Sequence, residues 1–248
     1  AGTIATTGKA GDNITWTYDA AAKSMTFSGT GTMYDYSEDY PEWAQSNGYD
    51  DVETLIIGEG ITNVGSGAFW ATDFTQNLTK IRLPSTLTTI ESQAFYDTES
   101  VGVIQIPASV VKIDDEAFGG WAASQMIVFP SNYDKTRLDS FGTTWNGNAK
   151  IAYGELSLDG DFTGKCGENA SFAYDSQNGI VTISGTGAIV PPTEFPDAAY
   201  WAVIKTSAKP VKIASGITEI GASAFSGWTR LSQIELPDTL TKIGEKAF

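Results

Sequence analysis

The chain has 248 residues and carries 15 Lys and Arg against 30 Asp and Glu, a formal charge of −15. That balance argues against nucleic acid and anionic membrane as partners, because both call for a basic face. Histidine is absent and cysteine occurs once, which removes Ser-His-Asp and Cys-His catalysis, nearly all zinc-site spacings and any internal disulfide.

No run of about 18 apolar residues is present, so no transmembrane segment is expected. The chain opens at Ala1 without a charged-then-apolar leader and reads as already processed or trimmed. Residues 1–7 are small and polar. From Gly8 the pattern sharpens: Ile14, Trp16 and Tyr18 alternate with Thr15 and Thr17, and Met25 and Phe27 alternate with Thr26 and Ser28. This predicts a β-hairpin with one apolar face, placed to cap the open end of a stack of repeats. After the turn Ser28-Gly29-Thr30-Gly31 comes an aromatic and acidic segment, Met33 to Asp51. It holds Tyr34, Tyr36, Tyr40, Trp43 and Tyr49 among six carboxylates. Clustered Tyr and Trp suit protein or sugar contacts; in the competing reading Tyr36, Pro41 and Trp43 pin the hairpin to the first repeat.

From about 53 to 130 a short apolar alternation leads to Pro, and eleven positions later to an Ala-Phe pair. Pro84 and Phe95, Pro107 and Phe118, and Pro237 and Phe248 keep that spacing. Looser copies run from Gly58 to Phe69 and from Ala214 to Phe225. A fixed short period predicts a solenoid, each repeat giving a strand that Pro ends at the same height. Leu87, Ile90, Val110 and Ile113 are expected to point inward, Ala-Phe to close each turn, and the ESQ and DDE segments to form one helical or 3-10 turn. Outward strand positions, Thr54, Ile56, Lys80, Arg82, Val103, Gln105, Met126 and Val128, are expected to line the inner face of the solenoid, a surface that repeat proteins commonly use for binding. Trp70 and Tyr96 follow successive Ala-Phe pairs and are expected to pack together. The period stops after Pro130, and 131–153 reads as a C-terminal cap.

Gly8-Lys-x-Gly-Asp-Asn13 reappears as Gly164-Lys-x-Gly-Glu-Asn169, and Ser28-Gly-Thr-Gly31 as Ser184-Gly-Thr-Gly187. The chain is therefore a tandem duplication: 1–154 as hairpin cap, repeats and C-terminal cap, 155–163 as linker, and 164–248 as a second hairpin and repeats, read as truncated. Phe195, Tyr200 and Trp201 repeat the aromatic enrichment. Cys166 matches Ala10 and is expected to be a small buried residue.

The phrases LPSTLTTIESQAF, IPASVVKIDDEAFGGW and LPDTLTKIGEKAF resemble the BspA-like class of leucine-rich repeats. The fold class expected is β-rich α/β: a solenoid of short parallel strands with short helical or 3-10 turns, in two tandem modules each opened by a β-hairpin. The family pattern has Cys three positions after Phe where Trp121 and Trp228 stand here, which argues for a packing slot and against thiol chemistry. The resemblance implies a non-enzymatic, secreted or cell-surface bacterial protein. Its expected partners are a host extracellular-matrix or cell-surface protein, or another bacterial surface protein. Glycan recognition by the aromatic segment and a passive spacer are the alternatives. No catalytic residue, cofactor or metal ligand carries over from the family. The candidate contacts are Tyr34, Tyr36, Tyr40, Trp43, Tyr49, Lys80, Arg82 and Gln105. Acidic groups at Asp159-Gly160-Asp161 and Asp114-Asp115-Glu116 lack the ligand ladder of a calcium loop. A carboxylate pair for glycoside hydrolysis has no local signature.

Overall fold

Where Thr and Ser alternate with large apolar residues, the backbone is extended. A computed structural model describes residues 5–45, 48–70, 73–194 and 198–248. Phe195 and residues 1–4, which the sequence reading touched, lie outside that set. The chain divides into two compact units, Ala1–Ile127 with Tyr133–Lys150, and Val128–Asn132 with Ile151–Phe248.

The first unit opens with β1 (Thr7–Gly11), β2 (Ile14–Asp19) and β3 (Ser24–Gly29), an antiparallel meander. A short helix α1 (Glu42–Gln45) follows, then β4 (Thr54–Ile57), β5 (Asn63–Val64), β6 (Lys80–Arg82), β7 (Thr89–Ile90), β8 (Val103–Gln105) and β9 (Lys112–Ile113). β3 pairs in parallel with β4, and β4 with β6, so the last hairpin strand is the template for the first coil. The sheet order is β1-β2-β3-β4-β6. Its inward side chains, Trp16, Met25, Phe27, Leu55 and Ile57, are all buried. On the second side of each coil β5, β7 and β9 form a parallel ladder through Val64, Ile90 and Ile113.

The third side is a turn. The amides of Ala68, Ala94 and Ala117 donate to the carbonyls of Gly65, Glu91 and Asp114, three residues back. The residue before each Ala holds a left-handed φ: Gly67 +63°, Gln93 +56° and Glu116 +55°. The ESQ and DDE segments fold as these turns, and 3-10 helix occurs instead at Asp73–Thr75, Lys135–Ser140 and Pro192–Glu194. The amides of Phe69 and Phe95 then donate to the carbonyls of Ala94 and Ala117 in the next coil, each at 2.8 Å. This carries their rings into a stack, with 5.5 Å between Phe69 and Phe95 and 5.4 Å between Phe95 and Phe118. Each such ring pair contributes roughly 0.5–1.5 kcal/mol beyond the area it buries.

The corner after each strand explains where Pro is allowed. The carbonyls of Gly58, Pro84 and Pro107 each accept from the amide three residues on. The Gly58 amide also donates to the Phe27 carbonyl on β3. Proline has no such hydrogen, so the first coil, which is bound to the hairpin, keeps an amide at this corner.

β10 (Met126–Phe129) and β11 (Lys150–Tyr153) complete the strands of this region. Met126 and Val128, expected to face outward, are instead buried, as is every residue of β10. MIVF is a continuous apolar run without alternation, the pattern of a strand covered on both faces. In the stretch after it, the Tyr133 hydroxyl donates to the Val110 carbonyl at 2.7 Å, and the Trp145 carbonyl receives the Phe118 amide at 2.7 Å. Trp121 is fully buried, its indole shared between the Phe95 carbonyl and the Thr98 hydroxyl.

The second unit repeats the scheme. Its strands are β12 (Glu155–Leu156), β13 (Phe162–Lys165), β14 (Ala170–Asp175), β15 (Ile180–Gly185), β16 (Gly187–Ile189), β17 (Pro210–Ile213), β18 (Ile217–Ile220), β19 (Gln233–Glu235) and β20 (Lys242–Ile243), with helix α2 (Ala198–Ile204). Residues 155–163, read from sequence as a linker, hold β12 and its antiparallel pairing to β13. β15, β17 and β19 continue in parallel, and β16-β18-β20 form the second ladder. The Ala214 amide donates to the Ile183 carbonyl as Gly58 does to Phe27. Cys166 is buried and its carbonyl accepts from Val190, the job of the Ala10 carbonyl with Tyr34. In the last coil Leu236, Ile243 and Phe248 are exposed, whereas Ile106, Ile113 and Phe118 in the first unit are buried. A coil buries its apolar face only beneath a neighbour.

Candidate binding surface

The aromatic segment splits into an inner and an outer set. Trp43 and Tyr49 are only 1% and 2% exposed. The Trp43 indole donates to the Ala68 carbonyl at 3.0 Å, its ring stacks on Phe69, and the Tyr49 hydroxyl donates to the Ala5 carbonyl at 2.7 Å. Tyr49 is therefore corrected to a packing residue, and Trp43 takes the pinning role weighed against a surface one, since a donor spent on a buried carbonyl cannot serve a ligand. The second unit does the same with Trp201, whose indole donates to the Ala224 carbonyl at 2.8 Å. Tyr36 is half-buried against Trp43, and burial pushes its hydroxyl well above the usual tyrosine range. Tyr34 and Tyr40 remain at the surface, 39% and 61% exposed, and the Tyr34 hydroxyl donates to Asp12. Asn63 ties this segment down, its amide bonding Met33 and the Glu91 carboxylate.

The outward face of the long sheet carries Lys80 and Arg82, while Gln105 lies on β8, in the separate sheet β11-β10-β8. Cross-strand register sets Ser24, Thr54 and Lys80 in one row and Thr17, Thr26, Ile56 and Arg82 in the next. Lys80 and Arg82 are exposed; Thr54, Ile56, Val103 and Gln105 are half-exposed. The hairpin positions extend this face beyond the strands of the repeats. The signal for them was present in the polar half of the β2 and β3 alternation, joined to the repeats by the parallel register of β3 and β4.

Carboxylates near this face are engaged. Glu59 accepts from the Ser85 amide and hydroxyl, both at 2.9 Å, and those bonds hold its carboxyl below the usual range. The acidic groups weighed for calcium are engaged too. Asp161 accepts from Ser176, Asp114 pairs with Lys112 at 2.9 Å, and Glu116 accepts from Gln93. Trp70 and Tyr96 pack with their rings tilted and 5.2 Å apart, both half-exposed.

The family model for the BspA type leucine rich repeat region matches in six copies, over residues 46–153 and 194–248. The chain belongs to the BspA-type leucine-rich repeat family. Among solved structures, it is similar to a leucine-rich repeat protein from Eubacterium ventriosum, at 20% identity and a TM-score of 0.41. That match takes in 98% of this chain, which spans 62% of the length of that protein. It is also similar to the T. pallidum leucine rich repeat protein (13% identity, TM-score 0.31, 92% of this chain and 82% of that one). A third is the pneumococcal vaccine antigen PcpA (13% identity, TM-score 0.30, 96% and 78%). No curated protein matches the chain. Among the described residues no helix is long and apolar enough to cross a membrane. Within this BspA-type chain the recurring positions are packing positions, and what varies between coils is the outward row.

Proposed function

We propose that this chain is a non-enzymatic bacterial repeat protein, secreted or held at the cell surface, that binds protein partners in adhesion through the outward positions of β4, β6 and β8 in its first unit. The observation that carries this reading is the row of Thr54, Ile56, Lys80, Arg82, Val103 and Gln105. These side chains are exposed or half-exposed on strands whose alternate residues are locked in the core. A rigid strand array holds contacts in place at low ordering cost, and repeat proteins commonly bind through such an extended surface. Family membership supports a binding scaffold and lends no catalytic residue. The test is an array of immobilised matrix and cell-surface proteins probed with the purified chain. Binding that Ile56→Arg and Gln105→Arg abolish, at an unchanged melting temperature, is the expected result; binding to nothing above an acidic control protein sinks the reading.

The exposure of Tyr34 and Tyr40 favours glycan recognition as a second reading. It requires that Tyr40→Ala removes glycan-array binding.

A further inference from the structure

Two buried polar atoms of the first unit are left without a hydrogen-bond partner among the described residues, Trp16 Nε1 and the Tyr36 hydroxyl. Such groups are costly to bury and are seldom left unanswered. Both rings stand edge-on to Trp43, at 6.3 and 5.2 Å, and the residue before Trp43 is Glu42, the first of α1. The Glu42 carboxylate lies against β1: a Cβ on Gly8 would collide with both Glu42 Oε2 and Trp16 Nε1. Burial first, and then the charge of that same carboxylate, raise the Tyr36 hydroxyl, so Glu42 is within reach of both orphaned groups. Lys9, the next residue on β1, stands on the opposite, exposed face.

The second unit replaces the three residues together. Phe172 stands across from Gly164 as Trp16 does from Gly8. Val190 donates to the Cys166 carbonyl as Tyr34 does to that of Ala10, which sets Pro192 in the place of Tyr36. Tyr200 precedes Trp201 as Glu42 precedes Trp43, and its ring stacks on Phe162 at 3.7 Å. Two donors and a carboxylate are thus present as a set in one unit and absent as a set in the other. Residues that acted separately would have no reason to change together.

We propose that the Glu42 carboxylate is the shared acceptor of Trp16 Nε1 and the Tyr36 hydroxyl, a clasp that a rotation of the Glu42 side chain closes and that fastens the segment 33–45 onto the hairpin. An ionised carboxylate has lone pairs for both donors, and hydrogen bonds to a charged acceptor are the stronger kind. Gly8 leaves the carboxylate its place, since a side chain there would fill it. The exposed rings of Tyr34 and Tyr40 belong to the same segment, so the clasp fixes where they are presented. It does so whether or not they meet a ligand, and stands apart from both binding readings above.

The test is NMR of the indole N–H groups in the intact chain, with Trp16→Phe used to assign the Trp16 resonance. Phenylalanine is what the second unit has at this place, so that variant is expected to fold. Glu42→Ala is expected to move the Trp16 indole resonance and to speed its exchange with solvent about tenfold or more. The indoles of Trp121 and Trp201, held by the Phe95 and Ala224 carbonyls, are expected to stay as they are. Urea unfolding gives an independent measure. Glu42→Ala is expected to lower the folding constant about tenfold in the native background and about twofold or less in Trp16→Phe/Tyr36→Phe, where no donor is left to lose. A Trp16 resonance that ignores Glu42→Ala, or an equal loss in both backgrounds, overturns the clasp and leaves Glu42 an ordinary first-turn residue of α1.

Discussion

Gln93, Glu116, Ser223 and Lys246 hold φ between +54° and +56° directly before the Ala of their coils, where Gly67 does the same in the first coil. A side chain with a Cβ pays roughly 1–2 kcal/mol for that conformation, and only Gly67 avoids the cost. Ser223→Gly is therefore expected to raise stability by about 0.5–1 kcal/mol, the relief being reduced by the extra chain entropy of glycine. Gly67→Ala is expected to lower it by about 1 kcal/mol, since its Cβ would also lie 3.2 Å from the Tyr36 carbonyl. Urea unfolding of the two variants checks both signs. At the same scale, burial and the hydrogen bond to Asp51 raise the Tyr18 hydroxyl to about 12. A folded value above the unfolded one means that the unfolded chain loses its proton first. The Tyr18 contribution to stability is thus intact below pH 10 and lost between pH 10 and about 12. The alkaline arm of the stability curve is expected to be shallower in Tyr18→Phe.

A coil is held by three unlike ladders, and each has its own weak point. Phe95 lies between Phe69 and Phe118 at stacking distance on both sides, so Phe95→Ala is expected to cost about 3–5 kcal/mol. Ala214→Pro at the first corner of the second unit would strip the Ile183 carbonyl of its donor, at about 1–3 kcal/mol. At the corresponding corners of later coils Pro84 and Pro107 already stand without that cost. Chemical denaturation of both variants is the measurement. These elements were largely legible in the sequence because each follows from a period: two for the hairpin, the Pro-to-Phe interval for the coil. What did not show was anything set by a partner distant in sequence. β10 was assigned an outward row because Met126 and Val128 fall at the right spacing, but spacing does not report what covers a strand. Trp43 was legible both as a surface contact and as a pin between hairpin and first repeat, and Tyr49 only as a surface contact; the Ala68 and Ala5 carbonyls reveal where they go. Lys80, Arg82 and Gln105 were legible as outward residues from alternation alone. Their company of Thr and Ser from the hairpin depended on the parallel register of β3 with β4.

Across the molecule, the duplication yields two cores closed by the same device, an indole donating to the Ala of the first coil. Because the two donors sit in different compact units, their effects should be separable. Trp43→Phe is expected to speed amide exchange in the turns around Ala68 and Ala94 and leave the turns around Ala224 protected. Trp201→Phe should do the reverse, and hydrogen exchange read by fragment distinguishes them. A loss of protection in both units from either variant would mean that the cores do not melt independently.

The amide kept at Gly58 and Ala214 has a use outside this chain. Every later coil with the strict spacing has Pro at that corner, whereas an N–H is kept in the coils laid against a hairpin, at Gly58 and Ala214, and after the strand β11 that follows the last strict repeat of the first array, at Gly154; the corner works as punctuation for both ends of a run of repeats. Scanning a long BspA-type array for corners that break the Pro rule should locate the two ends of each stack, even where the hairpin itself has diverged beyond recognition.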